Sequence, residues 1–136
     1  MEYPEAIAQT LYNLAALWSR ESDQILQERL SIGLSQYKIL AAVQQNARVQ
    51  QRQIAVELGQ TEASVSRQVK LLQDRGMITS RKNPRNKREH LTELTPKGSR
   101  VAEAAYQSLA TYHSSLVSHI SRRQQEVLLS MLSELR

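Results

Sequence analysis

Apolar residues in this chain recur every three or four positions almost from end to end, and the period itself changes only once. Ile7, Leu11, Leu14 and Trp18 open it, Val65, Val69 and Leu72 continue it, and Val101, Ala105, Leu109, Tyr112, Leu116 and Ile120 resume it at spacings of 4, 4, 3, 4 and 4. That period lines apolar side chains along one face of a helix. Between the two runs, residues 77–95 change to strand-like composition. The chain is therefore committed to helices packed on helices with one short β excursion. With no Phe and only 4% aromatics, the core is built from Leu, Ile, Val and Ala, and 136 residues suit a single domain.

Six helices are expected. The first covers residues 4–30, with Pro4 in its first turn. The second covers about 35–46 with Ser35 as N-cap, and the third about 50–58, stopped by Gly59. Thr61 caps the fourth, which runs to about Arg75 before Gly76. Ile78–Ser80 and His90–Thr95 read as two strands around the turn Asn83-Pro84-Arg85-Asn86. Thr95-Pro96 starts a fifth helix over about 96–119, and Ser121-Arg122-Arg123-Gln124 is a capping box for a sixth over about 122–135. The fold class is mainly α (α+β by strict count): six helices, the first and fifth of them long, and one β-hairpin. Residues 1–136 form one domain, with long helices at the two ends, in 1–34 and 96–136, and a shorter-element region over 35–95. The terminal stripes outrun so small a domain and need cover. A second copy of the chain is the preferred cover over packing within one subunit.

Charge separates the regions. Residues 61–100 carry a net +6, whereas the other 96 residues sum to −1. A local excess of this kind is the footprint of a face for a polyanion, with a solvated charge-rich loop as the bland alternative. The same segment begins inside a helix-turn-helix pattern at residues 51–70. Two helices crossing steeply need a small residue at their contact, here Ala55, and a residue tolerant of left-handed backbone at the reversal, here Gly59. Ile54, Leu58 and Val65 form the shared core. Thr61, Ser64, Ser66, Arg67, Gln68 and Lys70 are left outward, suited to a helix end entering a major groove. The cationic hairpin with Arg81, Lys82, Arg85, Lys87 and Arg88 follows directly, placed for phosphates or a minor groove. The expected architecture is thus a winged helix-turn-helix, with 35–95 as the winged-helix DNA-binding region, the hairpin as its wing, and 1–34 and 96–136 as dimerisation helices.

The run Gly76-Met77-Ile78-Thr79-Ser80-Arg81-Lys82-Asn83-Pro84-Arg85-Asn86-Lys87-Arg88, closing with Leu94-Thr95-Pro96-Lys97-Gly98, resembles the wing of the MarR family of winged-helix regulators. Element order and length are similar over essentially the whole chain. The resemblance implies a triangular homodimer binding a pseudo-palindromic duplex, with recognition helices about 34 Å apart in successive major grooves. It implies Arg88 as the residue entering the minor groove, and Ser66 and Arg67 as contacts to bases. It also implies repression relieved by a small aromatic or phenolic effector in the cleft between dimerisation helices and winged domain. The chain departs from the family at Asn86, which stands where an acid usually fixes the wing, and Glu89 is a possible substitute.

Trp18 and Tyr37 fit either the core, the preferred reading, or that cleft, where Lys38, Arg48 and His113 would add polar contacts. His113 is otherwise an ordinary half-buried histidine. His90, His113 and His119 are too scattered for a metal site. No catalytic constellation or cofactor motif stands out, so no enzyme activity is expected. The absence of Cys excludes disulfides and thiol sensing. No apolar run reaches the ~18 residues a membrane span needs, and Met1–Glu5 does not read as a signal peptide, so the cytoplasm is the expected location. A winged helix used as a protein-interaction or assembly module is the alternative function, although residues 61–70 lack apolar or aromatic anchors. An RNA-binding role lacks stacking aromatics beside the basic face.

Overall fold

The computed structural model describes residues 2–135; the side chains of residues 87–89 lie outside the described set. The element order is α1 (Tyr3–Leu30), α2 (Leu34–Gln45), α3 (Gln51–Leu58), α4 (Glu62–Asp74), β1 (Ile78–Asn83), β2 (Asn86–Leu94), α5 (Pro96–Leu116) and α6 (Arg122–Ser133). The two strands pair antiparallel, with Ile78 opposite Leu94 and Lys82 opposite His90, and the register shifts between Lys82 and Asn83. Both strands extend further toward the turn than their composition indicates, because the ladder hydrogen bonds accept any side chain on an exposed wing.

The core sits where α2, α3, α4 and the base of the hairpin meet α5 and the C-terminal half of α1. Leu26, Ile32, Ile39, Leu40, Ile54, Val65 and Leu72 have no exposed surface, and Met77, Ala102 and Ala105 complete the cluster. It is aliphatic, as the lack of Phe requires.

Two boundaries differ from the sequence expectation. Helix α2 begins at Leu34, and Ser35 is not its cap. The Leu34 N–H donates to Asp23 Oδ1 at 2.8 Å and the Gly33 N–H to Gln36 Oε1 at 3.1 Å. A carboxylate from α1 and a glutamine one turn ahead thus satisfy the free donors that a helix start must place. The Ser35 hydroxyl instead accepts from Gln60 Nε2 at 2.9 Å. Helix α5 stops at Leu116 rather than running to 119. Ser115 Oγ donates to the Tyr112 carbonyl at 2.6 Å and Ser118 Oγ to the Ser115 carbonyl at 2.9 Å. Such serine hydroxyls compete with backbone N–H groups for the last carbonyls of a helix.

The joint between α4, the hairpin and α5 explains the residues Leu94–Gly98. Three successive carbonyls leave α4: Arg75 accepts from Lys97 Nζ at 2.8 Å, Gly76 from Thr95 Oγ1 at 2.5 Å, and Met77 from the Thr95 N–H at 3.0 Å. Thr95 Oγ1 also accepts the Gly98 N–H at 3.0 Å, capping α5. Gly98 lies so close to the backbone just before β1 that a Cβ there would stand 2.0 Å from the Met77 carbonyl oxygen. Arg75 Nη1 donates in turn to the Ser31 carbonyl at 2.6 Å, tying the joint to the end of α1.

Candidate nucleic-acid interface

Helices α3 and α4 cross around Ile54, Ala55 and Val65, all buried, with Leu58 half-buried beside them. Gly59 makes the reversal possible: its φ of 63° is left-handed backbone that a side chain disfavours. Thr61 then starts α4, its Oγ1 accepting the Ser64 N–H at 3.1 Å. Burial of Val65, Val69 and Leu72 against the core fixes which way the opposite face points. Ser66, Arg67 and Lys70 are exposed on that face, Thr61 is exposed at its start, and Ser64 and Gln68 are half-buried along its flank. Arg67 and Lys70 form no salt bridge among the described residues.

The hairpin continues this surface. Arg81, Lys82 and Arg85 are exposed. Arg81 lies 3.7 Å from Glu93, both well exposed, a contact that contributes little to stability and leaves the guanidinium available. Asn83 Oδ1 accepts the Arg85 N–H at 3.0 Å and shapes the turn. The side chains of Lys87, Arg88 and Glu89 lie outside the described residues.

Arg48 is placed differently from the sequence expectation. It does not join Trp18, Tyr37, Lys38 and His113; it stands across a recess of about 490 Å³ from Asn83, Pro84, Arg85 and Leu91. The short connection after α2 carries Arg48 beneath the wing rather than back toward α1. Arg48 therefore adds a cation beside Arg85 of the hairpin.

The other four do converge. Trp18 from α1, Tyr37 and Lys38 from α2, and His113 from α5 line a groove of about 280 Å³ floored by Ser22, Leu34 and Leu109. The preferred sequence reading of Trp18 as a core residue is corrected: it is 36% exposed at the groove, because α1 has outrun its intrachain cover there. Tyr37 is half-buried against the core. Its hydroxyl is raised above the usual tyrosine range by burial first, and then by the neighbouring Tyr106 and Glu103. Among the described residues no group of three or more His, Asp or Glu is placed to hold a metal ion, and no helix is long and apolar enough to cross a membrane.

Gln36 is a half-buried polar residue of α2, in contact with α4, that the sequence reading missed. Its Nε2 donates to Gln68 Oε1 at 3.2 Å. The available signal was Gln36 three residues after Gly33, the acceptor position of a capping box.

Residues 30–89 match the model of the MarR family. The chain is 22% identical over 105 residues to an uncharacterized HTH-type transcriptional regulator, YdgJ, of Bacillus subtilis (strain 168), covering 77% of this chain. It spans only 64% of that relative's length. Among solved structures, a MarR-family transcriptional regulator from Rhodococcus sp. RHA1 superposes with a TM-score of 0.87 at 18% identity, over 99% of this chain and 95% of the other. The transcriptional repressor CouR, bound to a 23-mer DNA duplex, gives 0.85 at 23% identity, over 96% and 92%.

Proposed function

We propose that this chain, whose residues 30–89 match the MarR family model, is a member of that family and a sequence-specific duplex-DNA-binding transcriptional regulator, acting as a homodimeric repressor in the cytoplasm. One observation carries the reading. The exposed residues of α4, with Ser66, Arg67 and Lys70, and the hairpin that follows, with Arg81, Lys82 and Arg85, together expose five cations within one short stretch of the chain. Uncommitted guanidinium and hydroxyl groups on a helix end read base edges, while the wing cations neutralise phosphates. The likeness of the whole chain to a repressor captured on DNA supports this geometry. The protein-docking alternative draws no support from α4, whose outward residues beyond its cap are polar or small up to Lys70.

The homodimer is supported by an open apolar groove of about 550 Å³ between the start of α1 and α6, lined by Ile7, Leu11, Leu128, Met131, Leu132 and Leu135. A second copy covers both. The groove around Trp18 and Tyr37 is the proposed seat of a small aromatic or phenolic effector. Its walls come from α1, α2 and α5, so a ligand there bears on the winged domain and the dimerisation helices together.

Fluorescence anisotropy on a specific duplex, found by selection from random DNA, tests the reading. Wild-type affinity is expected to fall steeply with salt. Arg67→Ala is expected to cost ~1–3 kcal/mol of discrimination between specific and random duplex. Equal affinity of parent and variant for both duplexes would remove the role assigned to α4.

A further inference from the structure

The hydrogen bonds joining α2 to α4 have a direction. The Gly33 backbone N–H can only donate, so the atom of Gln36 facing it at 3.1 Å is the amide oxygen. The other end of Gln36, Nε2, is then a donor, and the atom it meets on Gln68 at 3.2 Å must be an acceptor. Gln68 is therefore held with Oε1 turned toward α2, leaving its own Nε2 as the uncommitted end. Both side chains are half-buried, which restricts their alternatives. Gln68 lies one turn beyond Ser64 and next to Arg67, on the flank of the face assigned to DNA.

We propose that Gln36 is a positioning residue for sequence readout, fixing the Gln68 amide so that α4 offers DNA an NH2 donor at this position and not an oxygen. The inference rests on the DNA-binding reading above. In the major groove a lone donor is best matched by guanine, which sets N7 and O6 acceptors side by side, or by thymine O4, whereas adenine offers N7 but sets its own N6 donor beside it. A lone donor conflicts with the cytosine N4 amino group. It also forgoes the paired oxygen-and-nitrogen contact by which an unconstrained glutamine reads adenine. Base preference at one operator position thus originates from the Gly33 backbone N–H just ahead of α2, two side chains away.

Gln36→Glu is the decisive variant. Its carboxylate still accepts the Gly33 N–H, so the start of α2 keeps its cap. It has no donor for Gln68, whose amide turns its Nε2 inward and presents Oε1 to the groove. Gln36→Leu removes the constraint without reversing it. The experiment sequences the bound fraction of a randomised duplex pool with full-length wild type, Gln36→Glu, Gln36→Leu and Gln68→Ala, with thermal melts of each. Gln68→Ala identifies the base position that Gln68 reads.

At that position wild type should prefer guanine or thymine. Gln36→Glu should shift the preference toward adenine or cytosine by about tenfold in relative affinity, and Gln36→Leu should flatten it. The inference is overturned if no position responds to Gln68→Ala, or if the Gln36 variants lower affinity evenly at all positions with the preference unchanged. Wild type binding every duplex alike overturns the DNA-binding reading itself, and this inference with it.

Discussion

The winged-helix middle of the molecule and its terminal helices are made of the same aliphatic residues, yet they end in opposite states. In the middle, Ile39, Leu40, Ile54, Val65 and Leu72 lose all contact with solvent. At the ends, α6 has no buried residue, Met131 and Ile7 are each 54% exposed, and Leu135 is 60% exposed. Apolar periodicity alone does not tell a helix that completes a core from one that awaits a partner. The distinction lies in whether other elements of the same chain can reach the stripe. The middle is finished within one chain, and the ends, on our reading, by a second.

The largest effect should come from breaking the middle at its tightest joint. Gly98→Val places side-chain atoms into the Met77 carbonyl, where backbone on both sides resists movement. We expect a loss of at least ~3 kcal/mol, at or beyond the usual cost of overpacking, read as a fall in Tm or a failure to fold. A variant that folds with unchanged Tm would mean that α5 and β1 separate easily. Next in size is Met131→Glu at the ends. A charge on an apolar face that another copy covers should weaken dimerisation by about 2 kcal/mol or more, read by sedimentation at micromolar concentration. Because Met131 is exposed within one chain, far-UV circular dichroism should be unchanged. Loss of helix along with the dimer would erase the contrast between the two regions.

The contrast also marks what the sequence makes legible. Helix order, the hairpin, the Thr61, Thr95 and Ser121 caps and the buried Ile54–Val65 contact follow from periodicity and capping chemistry, which act over a few residues. Tertiary partners do not. Leu34 is capped by Asp23, eleven residues back on another helix, so Ser35 attracts the assignment by residue type alone. Arg48 reads as a groove residue until the path of the chain after α2 sets it beneath the wing. Trp18 reads as core because a stripe gives the face of a helix but not where its cover ends. Gln36 carries no charge and stands outside the helix-turn-helix run, so nothing local distinguishes it from the other glutamines.

A smaller effect of opposite sign tests how complete the middle is. Thr92 is fully buried on β2, and its Oγ1 finds no hydrogen-bond partner among the described residues. A buried hydroxyl left without a partner is destabilising. Thr92→Val keeps the shape and β-branching and removes the polar atom, so stability should rise by about 1 kcal/mol. An unchanged or lowered denaturation midpoint would indicate that the hydroxyl is satisfied in solution, and that the base of the wing is more open than the strand pairing implies.

The smallest effect at neutral pH concerns the polar tie that holds the ends together within one chain. Tyr112 of α5 donates its hydroxyl to the Glu21 carboxylate of α1. Burial first, and then the hydrogen bond and charge of Glu21, push the Tyr112 pKa up to about 12 from the ordinary 10.0. The folded chain therefore holds this proton where the unfolded chain has released it. The stabilisation is fully present below pH 10 and disappears as the pH rises through 12. Tyr112→Phe should flatten the alkaline decline of Tm across that window while changing little at pH 7, where the half-buried Glu21 carboxylate keeps some access to water. Tyr37, also raised, contributes part of the decline that persists in the variant. Trp18, the one tryptophan, lies on α1 one turn before Glu21, so its fluorescence follows this tie locally. If the ends loosen first, its alkaline transition precedes the loss of helical signal in the wild type and falls into step with it in Tyr112→Phe. Coincident transitions in both proteins would mean that the α1–α5 contact is no weaker than the core beside it, and that the ends lack only their outer cover.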